Sequence, residues 1–270
     1  GILSDALTPD SSDLWRRQLA RNPESPALFE VLLRMRDPHG ELILPGAFIP
    51  TAERFGMMRE VDRWVVDHAL RALRDASDAP RPVQLTINLH SQSLNDLTLA
   101  EYVTGKILQY NIDAACLVFE ITESHAIEDM AGAQRILHQL REIGCRIAVD
   151  DFGTGFSTFA YLRQLEADIV KLDGSPIAGL PDDPLDRTVV AALTSIAEAA
   201  GKLVVAECVE RPEVLIALHE CGVDMAQGIA VGLPRLHLRP SGPAAVPTVR
   251  DVIDLPTLAV PLRRRSADGS

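Results

Sequence analysis

The strongest constraint on the fold is an alternation that begins at Val83 and runs to Ala226. Short apolar runs of strand length stand at Val83–Leu89, Cys116–Ile121, Cys145–Val149, Asp168–Leu172, Leu203–Ala206 and Val223–Ala226. Helical spacing fills the stretches between them, over Asp96–Gln109, Met130–Ile143, Leu185–Ala200 and Pro212–Cys221, with a shorter helical segment at Phe156–Leu165. Strands separated by helices of this length imply βαβ units and a parallel sheet. Upstream, Leu28–Leu33 reads as a further strand and Ala47–Phe55 as a short helix. Val61–Leu73 is helical, with Trp64, Val65, Ala69 and Leu73 on one face. This gives seven strands, one short of a closed barrel. The expected fold is therefore α/β, a TIM-like (β/α)8 barrel whose first strand is not evident. Residues 1–26 read as a polar lead-in with a short helical stretch around Leu14–Ala20, 27–234 as the barrel, and 235–270 as an irregular extension containing Pro and Arg.

Polar residues close these apolar runs. Glu30, Asn88, Glu120, the pair Asp150-Asp151, Lys171, Glu207 and Gln227 all stand at or beside strand ends. In a parallel barrel the strand C-termini converge on one mouth, and active sites are built there. One acidic residue at a strand end is ordinarily a helix cap, Lys171 alone a solvated charge, and Asn88 alone a turn residue. Taken together, so many carboxylates at one mouth would repel and lose solvation unless something neutralised them. Hard divalent cations do so with oxygen ligands, and adjacent aspartates can bridge two ions. The loop from Asp151 to Ser157, with Gly153 and Gly155, reads equally as a plain turn or as a mobile flap.

The formal net charge of -12, from 26 basic against 38 acidic residues, argues against a DNA or RNA polymer as partner. An anionic ligand remains open to such a chain if cations lie between it and the carboxylates. No apolar stretch is long enough to span a membrane, and no membrane contact by this segment is expected. Cys116, Cys145, Cys208 and Cys221 form no CxxC pair, which suits a reducing cytosol and a cytoplasmic domain. The opening Gly1 suggests a domain excised from a longer chain whose remainder could carry a membrane or sensor portion.

Several strings in order resemble the EAL family of cyclic di-GMP phosphodiesterases. They are Phe29-Glu30-Val31-Leu32-Leu33-Arg34, Asn88-Leu89-His90, Phe119-Glu120-Ile121-Thr122-Glu123, Asp150-Asp151-Phe152-Gly153-Thr154-Gly155, Lys171-Leu172-Asp173, Ala206-Glu207-Cys208-Val209-Glu210 and Gln227-Gly228. Pro45–Glu53 matches as well, and the resemblance covers roughly residues 27–234. It implies metal-dependent hydrolysis of cyclic di-GMP to linear pGpG by a water activated between two Mg2+ or Mn2+ ions, with Ca2+ inhibitory. One ion would take Glu30, Asn88, Glu120 and Asp150, and the second Asp150, Asp151 and Glu207. Lys171 would position the water, Gln227 would support the site and meet substrate, and Glu207 is the other candidate base. Glu123 would anchor the flap, while Arg34 and Asp173 would contact the substrate. A homodimer through helices near the flap is also implied.

Two departures stand out. Val31 replaces Ala, and its side chain should point away from the face of Glu30. The family's Tyr-Gln-Pro-Ile-like first strand is not recognisable in Leu19–Pro26, so the expectation is that residues around Asn22–Pro26 are missing rather than that the barrel is open. Two other functions fit parts of the pattern. One is a non-catalytic cyclic di-GMP receptor, which should lack some of these ligands. The other is a barrel metalloenzyme abstracting a proton beside a carboxylate with Lys171 as base.

Overall fold

Eight strands close the barrel, one more than the sequence pattern reveals. The computed structural model describes residues 14–20, 27–37, 39, 41–76, 82–153 and 165–232. The strands in chain order are β1 Leu14–Ala20, β2 Ala27–Leu32, β3 Met35–Arg36, β4 Leu42–Ile43, β5 Val83–Asn88, β6 Leu117–Thr122, β7 Arg146–Phe152, β8 Ile169–Leu172, β9 Leu203–Ala206 and β10 Met225–Gln227. The closed sheet runs β1-β10-β9-β8-β7-β6-β5-β2, and β3 with β4 forms a separate hairpin. The missing strand is thus Leu14–Ala20, the stretch expected to be helical, and no residues need be inserted around Asn22–Pro26 to supply it. It runs antiparallel to both neighbours, pairing Arg16 with Glu30 and Gln18 with Gln227. Leu, Arg, Gln and Ala are good helix formers. The two flanking strands, one of them more than 200 residues downstream in sequence, override that local preference.

Among the described residues the helices are α1 Pro45–Arg54, α2 Met58–Asp75, α3 Leu99–Tyr110, α4 Glu123–Glu128, α5 Met130–Ile143, α6 Gly174–Gly179, α7 Pro184–Ala199 and α8 Pro212–Glu220. Two of them, α4 and α6, are short, at 6 residues each, and follow strand ends directly, capped by Thr122 and Asp173. The expected helix from Asp96 starts only at Leu99, because Asp96 is extended and its Oδ1 accepts from the Thr98 amide at 3.0 Å, making a turn there instead. The expected helical segment Phe156–Leu165, apart from Leu165, and the 235–270 extension lie outside the described residues.

The two-residue period of a strand divides the barrel wall into an outward and an inward face. Val31, Ile87, Phe119, Ile121 and Val149 face out and join the helices in the main core. Leu28, Val118, Ala148, Ile169, Val205 and Met225 make a second, smaller cluster. Each of these six stands two positions before a polar residue: Glu30, Glu120, Asp150, Lys171, Glu207 and Gln227, respectively. The barrel interior is therefore an apolar floor with a polar layer one step nearer the mouth.

Helix α2 covers β5 and buries Val61, Val65, Val66, Ala69, Leu70 and Leu73. It also buries Asp62, whose Oδ2 accepts from the His90 amide at 3.0 Å and from Ser93 Oγ at 2.6 Å. Desolvation pushes this carboxyl up from 3.8 to about 6, against the opposing pull of those hydrogen bonds. The folded chain therefore holds a proton on Asp62 that the unfolded chain has lost between pH 4 and 6. Stability attached to this group falls as the pH rises through that window, by up to about 3 kcal/mol. Asp62→Asn keeps an acceptor without the charge. Its melting temperature is expected to exceed wild type at pH 8 and to converge with it near pH 4.5. A difference that does not vary with pH would contradict this reading.

Candidate active site

Every strand-end residue singled out in the sequence reaches the mouth. The β5–β6 ladder sets Asn88 beside Glu120, and the β6–β7 ladder sets Thr122 beside Asp150. Glu30, two residues before the end of β2, has both oxygens occupied: Asn88 Nδ2 donates to Oε1 at 3.1 Å and Gln227 Nε2 donates to Oε2. Lys171, from β8, is almost fully buried and is the cation of a second group. Its Nζ donates to Glu120 and forms ion pairs with Glu207 at 2.7 Å and Asp150 at 3.3 Å.

Asp150 and Asp151 are neighbours in β7, and in a regular strand their side chains would point to opposite faces. The β7–β8 register shifts between Val149 and Phe152, and Asp151 takes a left-handed backbone with φ of 55°. Such a bulge re-aims a side chain. As a result Asp150, Asp151 and Glu207 bring carboxylate oxygens within 4.8 Å of one another. Burial raises the Asp151 carboxyl, and the nearby Asp150 and Asp173 carboxylates raise it further. Burial also pushes Glu207 up to about 7, with the Asp150 charge adding to it and Lys171 opposing it. Burial alone would depress Lys171, but Glu120, Glu30, Glu207 and Asp150 together hold its ammonium well above the usual range.

These oxygens suit hard cations. Four carboxylates surround a single ammonium, and Glu120 Oε2 is buried with no hydrogen-bond partner among the described residues. An orphaned acceptor in so polar a position fits a coordinating role. The groups present therefore fit the binding of a divalent cation at this mouth.

The supporting residues divide in their roles. Glu123 is buried at the start of α4, and its Oε2 accepts from the Gly153 amide at 3.4 Å, tying it to the turn that leads into the flap. Residues 154–157 of that flap lie outside the described residues. Asp173 caps α6 through its Oδ1, which accepts from the Ser175 amide at 2.8 Å and from Ser175 Oγ, and this holds its carboxyl below the usual range. Arg34 follows β2, and its Nη1 donates to the Leu33 carbonyl at 2.7 Å. It lines a cavity of about 280 Å³ with Leu33, Pro45, Ile49, Asn88 and His90. Gly228 lets the chain after Gln227 pass against Val209, where a Cβ would meet the carbonyl oxygen at 2.1 Å. Sequence reasoning gave no role to His90 or to Asp62. The only signal was a histidine two positions past a strand end, and its partners lie far away in sequence.

Comparison with known proteins places this arrangement. The family model described as EAL domain matches residues 22–234. The chain is 38% identical over 206 residues to the cyclic di-GMP phosphodiesterase PdeF of Escherichia coli, covering 76% of this chain and 28% of that protein. It is 37% identical to the cyclic di-GMP phosphodiesterase PdeB of Shewanella oneidensis, covering 76% of this chain and 24% of that protein. The chain thus spans about a quarter of the length of these curated relatives. Among solved structures, the cyclic di-GMP complex of the PaMucR phosphodiesterase superposes with a TM-score of 0.79 at 32% identity, covering 87% of this chain and 96% of that one. The Pseudomonas aeruginosa FimX EAL domain bound to cyclic di-GMP superposes with a TM-score of 0.83 at 26% identity, covering 88% and 96%. The chain belongs to the EAL domain family, as its motifs imply.

The bulge at Asp151 leads to a prediction. Asn tolerates a left-handed φ and a β-branched residue does not. Asp151→Asn should melt at or above the wild-type temperature in metal-free buffer, whereas Asp151→Val should lose about 1–2 kcal/mol. Equal stability of the two variants by thermal melting would argue against a strained strand end.

Proposed function

We propose that this chain hydrolyses cyclic di-GMP to linear pGpG. The observation that carries the reading is the convergence of Glu30, Asn88, Glu120, Asp150, Asp151, Lys171, Glu207 and Gln227 at one barrel mouth, the residues that the family resemblance assigns to the metal ions, the attacking water and their support. Glu30, Asn88, Glu120 and Asp150 would hold one Mg2+ or Mn2+, and Asp150, Asp151 and Glu207 a second. When bound, such a pair supplies an activated water and neutralises charge on the phosphodiester.

The chain's own residues do the rest. Lys171 keeps its proton, balances the carboxylates and orients the attacking water by donating from Nζ. Glu207, 2.7 Å from Lys171 Nζ at the same mouth, is the carboxylate that would take the proton that water releases. Water adds across one P–O3′ bond, leaving a 5′-phosphate on one nucleoside and a free 3′-hydroxyl on the other. Gln227 and Asn88 hold the Glu30 carboxylate in place from its two oxygens. Glu123 steadies the turn at Gly153. Arg34, at the edge of the cavity it shares with Asn88, binds a substrate phosphate or a guanine edge. Asp173, beside Asp151, completes the substrate side.

No helix among the described residues is long and apolar enough to cross a membrane. The reading places the domain in the cytosol and permits a homodimer through helices beside the flap.

Incubation of the purified chain with Mn2+ and cyclic di-GMP, followed by chromatography, should yield pGpG. Tight binding without turnover would favour a receptor instead. Glu30→Ala should lower turnover by at least about a hundredfold, the scale set by losing a group that supports a catalytic ion; near wild-type rates would remove Glu30 from the ligand set. Replacing Mn2+ by Ca2+ should suppress product, because the larger ion takes looser coordination. Equal turnover in Ca2+ would refute the geometric requirement.

A further inference from the structure

His90 stands two residues past Asn88 and makes contacts in several directions. The amide of the intervening Leu89 donates to the Glu120 carbonyl at 2.7 Å, so the chain is still held to β6 when it reaches His90. The His90 amide donates to buried Asp62 on α2. Its ring Nδ1 accepts from the Gln92 amide at 3.3 Å and caps the 3-10 turn. That leaves the ring proton on Nε2, which points at Glu53 Oε1 from 2.5 Å. Glu53 lies in the last turn of α1, and the Gln92 side-chain amide donates to its carbonyl at 2.7 Å.

The helix so tied forms one wall of the cavity beside the mouth. Pro45 and Ile49 of α1 face Leu33 and Arg34 from the end of β2, with Asn88 and His90 closing the side. Thirty-seven positions separate His90 from Glu53, so this contact joins a strand end that carries a site residue to α1, beside the Gln92–Glu53 bond and the packing of Ala52 and Ile49 in the main core.

We infer that His90 is a positioning residue for substrate binding, holding α1 at the spacing the cavity needs through its Nε2–Glu53 contact. The inference rests on cyclic di-GMP as the substrate of this mouth. The contact acts on the wall and not on the reacting atoms, so its loss raises KM and spares kcat.

The two ring nitrogens can be tested separately. His90→Asn can supply an acceptor near the position of Nδ1 and cap the turn but does not reach Glu53. His90→Gln can supply a donor near the position of Nε2 and keeps that reach. With Mn2+ and cyclic di-GMP, His90→Asn should raise KM about tenfold with kcat within about twofold, and His90→Gln should return KM to near the wild-type value. Calorimetric titration of cyclic di-GMP in Ca2+ reads the same wall without turnover, and Kd should follow the same order. Asn and Gln variants with equal KM and equal Kd, whatever their melting temperatures, would overturn the inference and reduce His90 to a structural role. Wild-type protein that binds but does not turn over refutes hydrolysis while the Kd comparison still decides the role of His90. Wild-type protein that neither binds nor turns over overturns the substrate assignment and the inference with it.

Discussion

A buried ammonium among carboxylates loses its water on every side, and only close pairing restores what desolvation takes away. Lys171 is in that position. It stands inside the barrel with Glu120, Asp150 and Glu207 around it, and Glu30 contributes to the same field. Removing the lysine would leave buried carboxylates facing one another. Keeping it still leaves a net negative mouth, because one positive charge meets at least four carboxylates. That imbalance is the physical reason for reading the mouth as a site for divalent cations. It would also allow an acidic chain to accept the anionic dinucleotide proposed as its substrate.

The polar layer can exist because of what lies beneath it. Leu28, Val118, Ala148, Ile169, Val205 and Met225 fill the barrel and exclude water from below. The side chains two steps along are then displayed towards the mouth at fixed spacing. Strand geometry supplies one residue per strand in this way. The extra carboxylate requires a break in that geometry, and the shift at Asp150-Asp151, with its left-handed backbone, provides it. Here local strain serves the site directly.

The sequence made most of this legible for a specific reason. Glu30, Glu120, Asp150, Lys171 and Glu207 each interrupt an apolar run, so burial and chemistry conflict within a few residues and the conflict is visible without coordinates. What stayed hidden depended on distant partners or on backbone angles. Leu14–Ala20 has the composition of a helix and becomes a strand only because β2 and β10 pair with it on either side. The short helices α4 and α6 are too brief to show a period. The bulge at Asp151 leaves no mark in residue type alone. His90 was visible as a histidine, but Glu53 and Asp62 become its neighbours only once α1 and α2 are packed.

The central claim is that the carboxylates at the mouth together hold divalent cations, with Asp150 shared between the two positions. Titration of metal-free protein with Mn2+, followed by electron paramagnetic resonance of the free ion, tests it most directly. The account predicts saturation at about two ions per chain and loss of both from the tight class in Asp150→Ala. No saturable binding by the wild-type chain, or unchanged stoichiometry in Asp150→Ala, would contradict it.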